Sequence, residues 1–120
     1  MKKQNYRKRA DALIQLIGVA NNSTCLVCGN RCEVMHHYIK KSQSTKLRYC
    51  WDNLVPLCNS CHCKHHVTGD PRIVEIILQK KGQAWADNLH AHKTGGKSTE
   101  AFFREMYEML LLMSVDIPMD

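Results

Sequence analysis

The stretch Cys58-Asn59-Ser60-Cys61-His62-Cys63-Lys64-His65-His66 sets two cysteines, two residues apart, directly ahead of three histidines. An earlier pair, Cys25-Leu26-Val27-Cys28, has the same spacing and is followed by Gly29, which eases a tight turn. Thiolates that share one tetrahedral ion must sit close together, and a two-residue gap in a knuckle provides that. Two such pairs read as a structural Zn²⁺ held by Cys25, Cys28, Cys58 and Cys61. A single redox Cys-x-x-Cys would leave the second pair unexplained. Cys32, Cys50 and Cys63 read as small packed or free thiols.

Around the knuckle, 120 residues predict a single domain with its own core. Hydrophobic residues make up 44% and charged residues 23%, which argues against disorder. The longest apolar run, Met109–Met113, is far too short to span a bilayer. The opening residues lack a charged-then-apolar leader, so the expected location is the cytoplasm, where thiols stay reduced. The net charge of +6 is unevenly spread: residues 1–60 carry +7 and residues 61–120 carry −1. Lys2, Lys3, Arg7, Lys8, Arg9, Lys40, Lys41, Lys46 and Arg48 supply most of the excess. A surface facing a polyanion has this asymmetry, as does a solvated basic face without a partner.

Hydrophobic periodicity predicts a helix from Asn5 to about Ala20, ended by Asn21-Asn22-Ser23. Short strands are expected over Glu33–Ile39 and Leu54–Leu57, separated by a polar, basic loop. A helix follows from Asn59 towards Gly69. Asp70 then caps a further helix with Pro71 at its first position. Another covers about Gln83–His92, and Ser98 or Thr99 caps the last, which runs to about Ser114. The expected class is α+β: a core over residues 24–68, flanked by helices over 5–20 and 71–115.

Twenty-nine residues separate Cys28 from Cys58, more than a minimal zinc ribbon needs. They carry His36-His37 on the first strand, and the helix beyond carries His62 and His66 on one face. His65, three residues from His62, lies near the same face, so periodicity leaves the choice between His65 and His66 open. Four zinc thiolates need none of these rings, and their number and spacing point to a second metal site.

In this order, Cys25-x-x-Cys28, His36-His37, Asn53-Leu54 and Cys58-x-x-Cys61-His62-x-x-x-His66 resemble the HNH nuclease family in its zinc-knuckle form. The resemblance covers about residues 25–66. It implies a ββα-metal core, treble-clef-like, in which hairpin and helix clamp one catalytic divalent ion. By that likeness His36, His62 and His66 are the ligands and His37 is the general base. Asn53 is the residue that pins the loop and helps orient that base. A longer likeness is similar to the phage recombination nucleases of the NinG type. It runs through His37-Tyr38, Leu47-Arg48-Tyr49, Asp52-Asn53-Leu54, the second cysteine pair, Gly82 and the last helix. It implies action on branched DNA in the nucleoid of a bacterial host cell, although His36 and His62 depart from that pattern.

Chemistry supports the same assignment on its own terms. Phosphodiester hydrolysis needs an activated water and stabilised charge at phosphorus and the leaving oxygen; an imidazole and a divalent ion supply these. Neighbours on a strand point to opposite faces, which favours one ligand and one base for His36 and His37. Three imidazoles suit Mn²⁺, Ni²⁺ or Zn²⁺ better than Mg²⁺. Lys40, Lys41, Lys46, Arg48 and Lys64 are expected to contact DNA phosphates without reading sequence. Tyr49 and Trp51 are expected to pack on the knuckle rather than stack on bases. A zinc-finger binding module without catalysis would use the same knuckle and basic face, but gives His37 no task. The last helix, apolar over more than one face from Phe102 to Met113, is expected either between the first helix and Ile73–Leu78 or in a homodimer contact.

Overall fold

Asn5 caps the first helix, its side chain accepting the Lys8 N–H at 3.0 Å. The computed structural model of the chain describes residues 5–117, so Lys2 and Lys3 lie outside the described residues. Helix α1, Tyr6–Asn21, buries Ala10, Ile14, Ile17 and Gly18 on one face, the spacing of a helical stripe. Strands β1, Val34–His37, and β2, Leu54–Leu57, pair antiparallel with His36 opposite Val55 and His37 opposite Leu54. Helix α2 spans Asn59–His66, α3 Pro71–Lys81, α4 Gln83–Ala91 and α5 Glu100–Met113. Asp70 caps α3 with Pro71 at its start, and Thr99 rather than Ser98 caps α5.

Three buried clusters position these elements. Ala10, Ile14 and Ile17 of α1 meet Met35, Tyr49 and Leu54 of the hairpin and Phe103 and Leu110 of α5. Val55 and Leu57 pack with Cys25, Cys58 and Cys61 against Ile73 and Ile77 of α3. Ile39 and Leu47 pack on Leu89 of α4, so the basic loop between the strands has a small core of its own. That loop is fastened further by Ser44, whose buried hydroxyl donates to the Lys93 carbonyl at 2.7 Å and accepts the Leu47 N–H at 3.0 Å.

Three expectations need correction. β1 is shorter than Glu33–Ile39, because at Ile39 a side chain takes over from the strand ladder: the Asn53 amide oxygen accepts the Ile39 N–H at 2.7 Å. α5 does not lie between α1 and Ile73–Leu78. It packs along α1, while Ile73 and Ile77 belong to the knuckle cluster. Its outer residues Met109, Leu111, Leu112 and Met113 stay exposed. Tyr49 and Trp51 pack with α1 and α5, not on the knuckle.

α1 approaches β1 closely only because residue 18 is glycine. A Cβ there would stand 2.3 Å from Met35 Cγ, inside a buried side chain. Gly18→Ala is therefore expected to lower the midpoint of urea unfolding: over-packing costs about 1–3 kcal/mol, against a helix-propensity gain of at most about 1 kcal/mol. An unchanged or higher midpoint would show that α1 has room to move off the strand.

Candidate active site

The knuckle is built first. The Cys25 carbonyl accepts the Gly29 N–H at 3.0 Å, Gly29 turns at φ 79°, and the Leu26 N–H donates to the Pro56 carbonyl at 2.8 Å. These bonds fold Cys25 and Cys28 back over the second strand. Cys58 then caps α2, its sulfur accepting the Cys61 N–H at 3.4 Å. The four sulfurs lie within 4.8 Å of one another, with Cys28 and Cys58 at 3.6 Å. Sulfurs bound tetrahedrally at the usual zinc–thiolate length stand about 3.8 Å apart, so the cluster fits one Zn²⁺. Deprotonation of all four thiols would need a cation. Burial acts to raise the Cys25 pKa, but backbone N–H groups at Cys28, Cys58 and Val27 outweigh it and bring it to about 7. Burial and the neighbouring sulfurs push Cys61 up. Four thiolates cannot share this space without a positive charge among them. Cys32, Cys50 and Cys63 lie outside the cluster.

Because Cys58 starts α2, the histidines on the next turns are fixed relative to the knuckle. β1 delivers His36 onto that helix: its ring centroid lies 5.4 Å from that of His62, 5.0 Å from His65 and 5.3 Å from His66. Ligand atoms of His36, His62 and His66 all fall within 4.8 Å of one another, a grouping that could hold a metal ion. His36 is buried; burial first, then the charges of the surrounding histidines, lowers its pKa to about 3. Burial and neighbouring rings also lower His62. Neutral imidazoles converging on one point are the donor set a divalent transition ion requires, and the residues fit such an ion.

His37 turns instead towards the basic loop. Its Nε2 lies 2.9 Å from the Arg48 carbonyl oxygen. A carbonyl can only accept, so Nε2 carries the proton, and in the neutral ring Nδ1 keeps a lone pair. Burial lowers the His37 pKa, with the Arg48 carbonyl opposing, and so favours that neutral ring. His36, His37, His62 and His66 border one cavity of about 760 Å³, together with Lys40, Lys41, Ser42, Arg48 and Gln15. Asn53 is fully buried behind it. Its amide donates to the Ile39 and Leu47 carbonyls at 3.0 and 3.2 Å, one peptide before the carbonyl that holds His37.

The basic residues separate into groups. Lys40 and Lys41 are exposed and line the cavity. Lys46 is exposed but lies beside Gly96, away from the histidines, and exposed Lys64 is outside the cavity lining. Arg48 departs most from its expected role: its guanidinium forms a two-point ion pair with Asp11 of α1 and is only 15% exposed. A basic loop gives no sequence signal that one of its cations is turned inward. Asp11 and Gln15, which sequence reasoning passed over as polar helix positions, both touch the site's framework.

An antiparallel hairpin and a following helix, closed on a histidine cluster and stapled by a four-cysteine knuckle, define a ββα-metal fold. Residues 25–68 match the family model HNH endonuclease. No curated protein and no solved structure matches the chain. Among the described residues, no helix is long and apolar enough to cross a membrane.

The knuckle's part in the fold is open to direct test. The parent is expected to carry zinc by elemental analysis and to melt cooperatively by circular dichroism, and Cys61→Ser to lose both. Cys63→Ser, at an exposed position outside the cluster, should keep both. A Cys61→Ser protein with parental zinc and melting would remove the four-thiolate assignment.

Proposed function

We propose that the chain is a divalent-metal-dependent endonuclease that hydrolyses DNA phosphodiester bonds. The observation that carries this reading is the bond from His37 Nε2 to the Arg48 carbonyl, which leaves Nδ1 as a base beside the cluster of His36, His62 and His66. A module that only bound DNA would have no use for a histidine held in one tautomer at a metal cluster. The likeness to NinG-type nucleases extends the proposal to branched or recombination-intermediate DNA.

His36, His62 and His66 hold the catalytic ion, for which Mn²⁺, Ni²⁺ and Zn²⁺ suit the imidazoles better than Mg²⁺. When bound, that ion supplies positive charge for the phosphorane and the leaving oxygen. Lys40 and Lys41 receive the phosphate backbone at the cavity wall, and Lys46 and Lys64 extend the basic surface. His37 Nδ1 accepts a proton from the attacking water, while the Arg48 carbonyl stabilises the imidazolium that forms. Asn53 keeps the loop at the distance this requires. Two copies joined through the exposed α5 residues would present two such sites, the arrangement a double-strand cut needs.

Cleavage of plasmid and four-way-junction DNA by the zinc-loaded protein tests the proposal, with Mn²⁺ expected to support at least the rate seen with Mg²⁺. His37→Ala is expected to slow cleavage by roughly 10²–10⁴-fold while zinc content and DNA affinity stay near parental values. Equal rates would remove His37 as the base. A parent that cuts neither substrate with any divalent ion would return the chain to the binding-module reading. Lys40→Ala combined with Lys41→Ala should weaken DNA binding and reduce the slope of log affinity against log salt by about two. An unchanged slope would place the phosphate backbone elsewhere.

A further inference from the structure

We propose that Asp11 and Gln15, one turn apart on α1 and outside the HNH segment, are positioning residues for the two arms of the site. Gln15 fixes the strand that bears His36, and Asp11 fixes the peptide that orients His37. The inference rests on the nuclease reading above for its consequence in rate, but its geometry stands on its own.

Gln15 acts as a third strand one residue long. Its Oε1 accepts the Met35 N–H and its Nε2 donates to the Met35 carbonyl, each at 2.8 Å. In a two-stranded ladder every second residue of β1 points its backbone groups away from β2, and at Met35 these would otherwise face outward. The side-chain amide satisfies both and so holds the backbone immediately before His36.

Asp11 works on the other arm. Its carboxylate accepts from the Arg48 guanidinium, at 2.9 Å for Nε to Oδ1, and from the Tyr49 hydroxyl at 2.8 Å. The carbonyl that receives His37 belongs to the peptide joining Arg48 to Tyr49. The two side chains flanking that peptide are therefore tied to one carboxylate, which removes its freedom to rotate. Tyr49 is buried, Arg48 lies against the Phe103 ring at 5.6 Å, and Asp11 is half-buried between them and solvent. Burial works against the charged form of Asp11, but the bonds from Arg48 and Tyr49 more than offset it and its pKa is lowered. Asn53 restrains the preceding peptide from the opposite side through the Leu47 carbonyl. A carbonyl gripped from both sides is a rigid reference point for an imidazole, and small misplacements of a catalytic group are costly.

Two readouts test the Asp11 arm in the full chain with its structural zinc. In ¹⁵N-resolved NMR the parent should show the His37 ring proton on Nε2, protected from exchange. In Asp11→Asn, which keeps the side chain's shape, that signal should be lost to fast exchange. In single-turnover cleavage at saturating DNA and Mn²⁺, Asp11→Asn should be slower by about 10–100-fold. In a His37→Ala background it should cost less than about two-fold, because a residue acting through His37 has nothing left to position. A retained, protected Nε2 proton in Asp11→Asn would overturn the proposal, as would an equal slowing in both backgrounds. If the protein cuts no DNA at all, the nuclease reading fails, yet the NMR comparison still decides the role of Asp11. For the other arm, Gln15→Leu should weaken Mn²⁺ binding by about ten-fold, measured by calorimetry, with zinc content unchanged. Parental Mn²⁺ affinity would remove Gln15 from the assignment.

Discussion

The site depends on one buried amide. Asn53 has no exposed surface, and its side chain accepts the Ile39 N–H while donating to the Ile39 and Leu47 carbonyls. These three bonds close the connection between β1 and β2 at its base, where the strand ladder has already ended. An unsatisfied buried amide would cost about 1–3 kcal/mol for each polar group left without a partner. The satisfied one converts a long polar loop into a fixed wall. From that wall the Arg48 carbonyl reaches His37, and Lys40 and Lys41 reach the cavity mouth.

Two anchors of different chemistry set the distance across the cavity. Cys58 is at once a knuckle sulfur and the cap of α2, so the helix bearing His62 and His66 cannot shift without disturbing the knuckle. α1 holds the opposite side through Gly18, Gln15 and Asp11, which together fix β1 and the loop. β1, bearing His36 and His37, and α2, bearing His62 and His66, thus converge from separate supports. This is what a site must have if an ion and an activated water are to meet a phosphate at once.

The parts legible in the sequence are those governed by short separations. Cys25-x-x-Cys28, Cys58-x-x-Cys61 and the Asp70–Pro71 helix start follow from local turn and helix geometry, whereas helical spacing left His65 and His66, and Ser98 and Thr99, as alternatives. Asn53 was legible only through its place in a family pattern, since a turn after Asp52 would explain it as well. The partners of α1 were not legible. Asp11 meets Arg48 across 37 residues and Gln15 meets Met35 across 20, and nothing local separates such residues from solvated polar ones. For the same reason Arg48 read as a phosphate contact, when burial under Phe103 and pairing with Asp11 give it an internal role. α5 misled by its excess of apolar residues: one face covers α1, and the remainder faces outward.

The proposed function requires one chain to hold two chemically distinct metal centres, one of sulfur and one of imidazole. Titration of metal-free protein with Co²⁺, followed by visible absorption, tests it most directly. Two ions per chain are expected: one with the intense thiolate-to-metal bands of four sulfurs, the other with weak bands that vanish in His62→Ala while the first set persists. Saturation at a single ion with thiolate bands alone would contradict it.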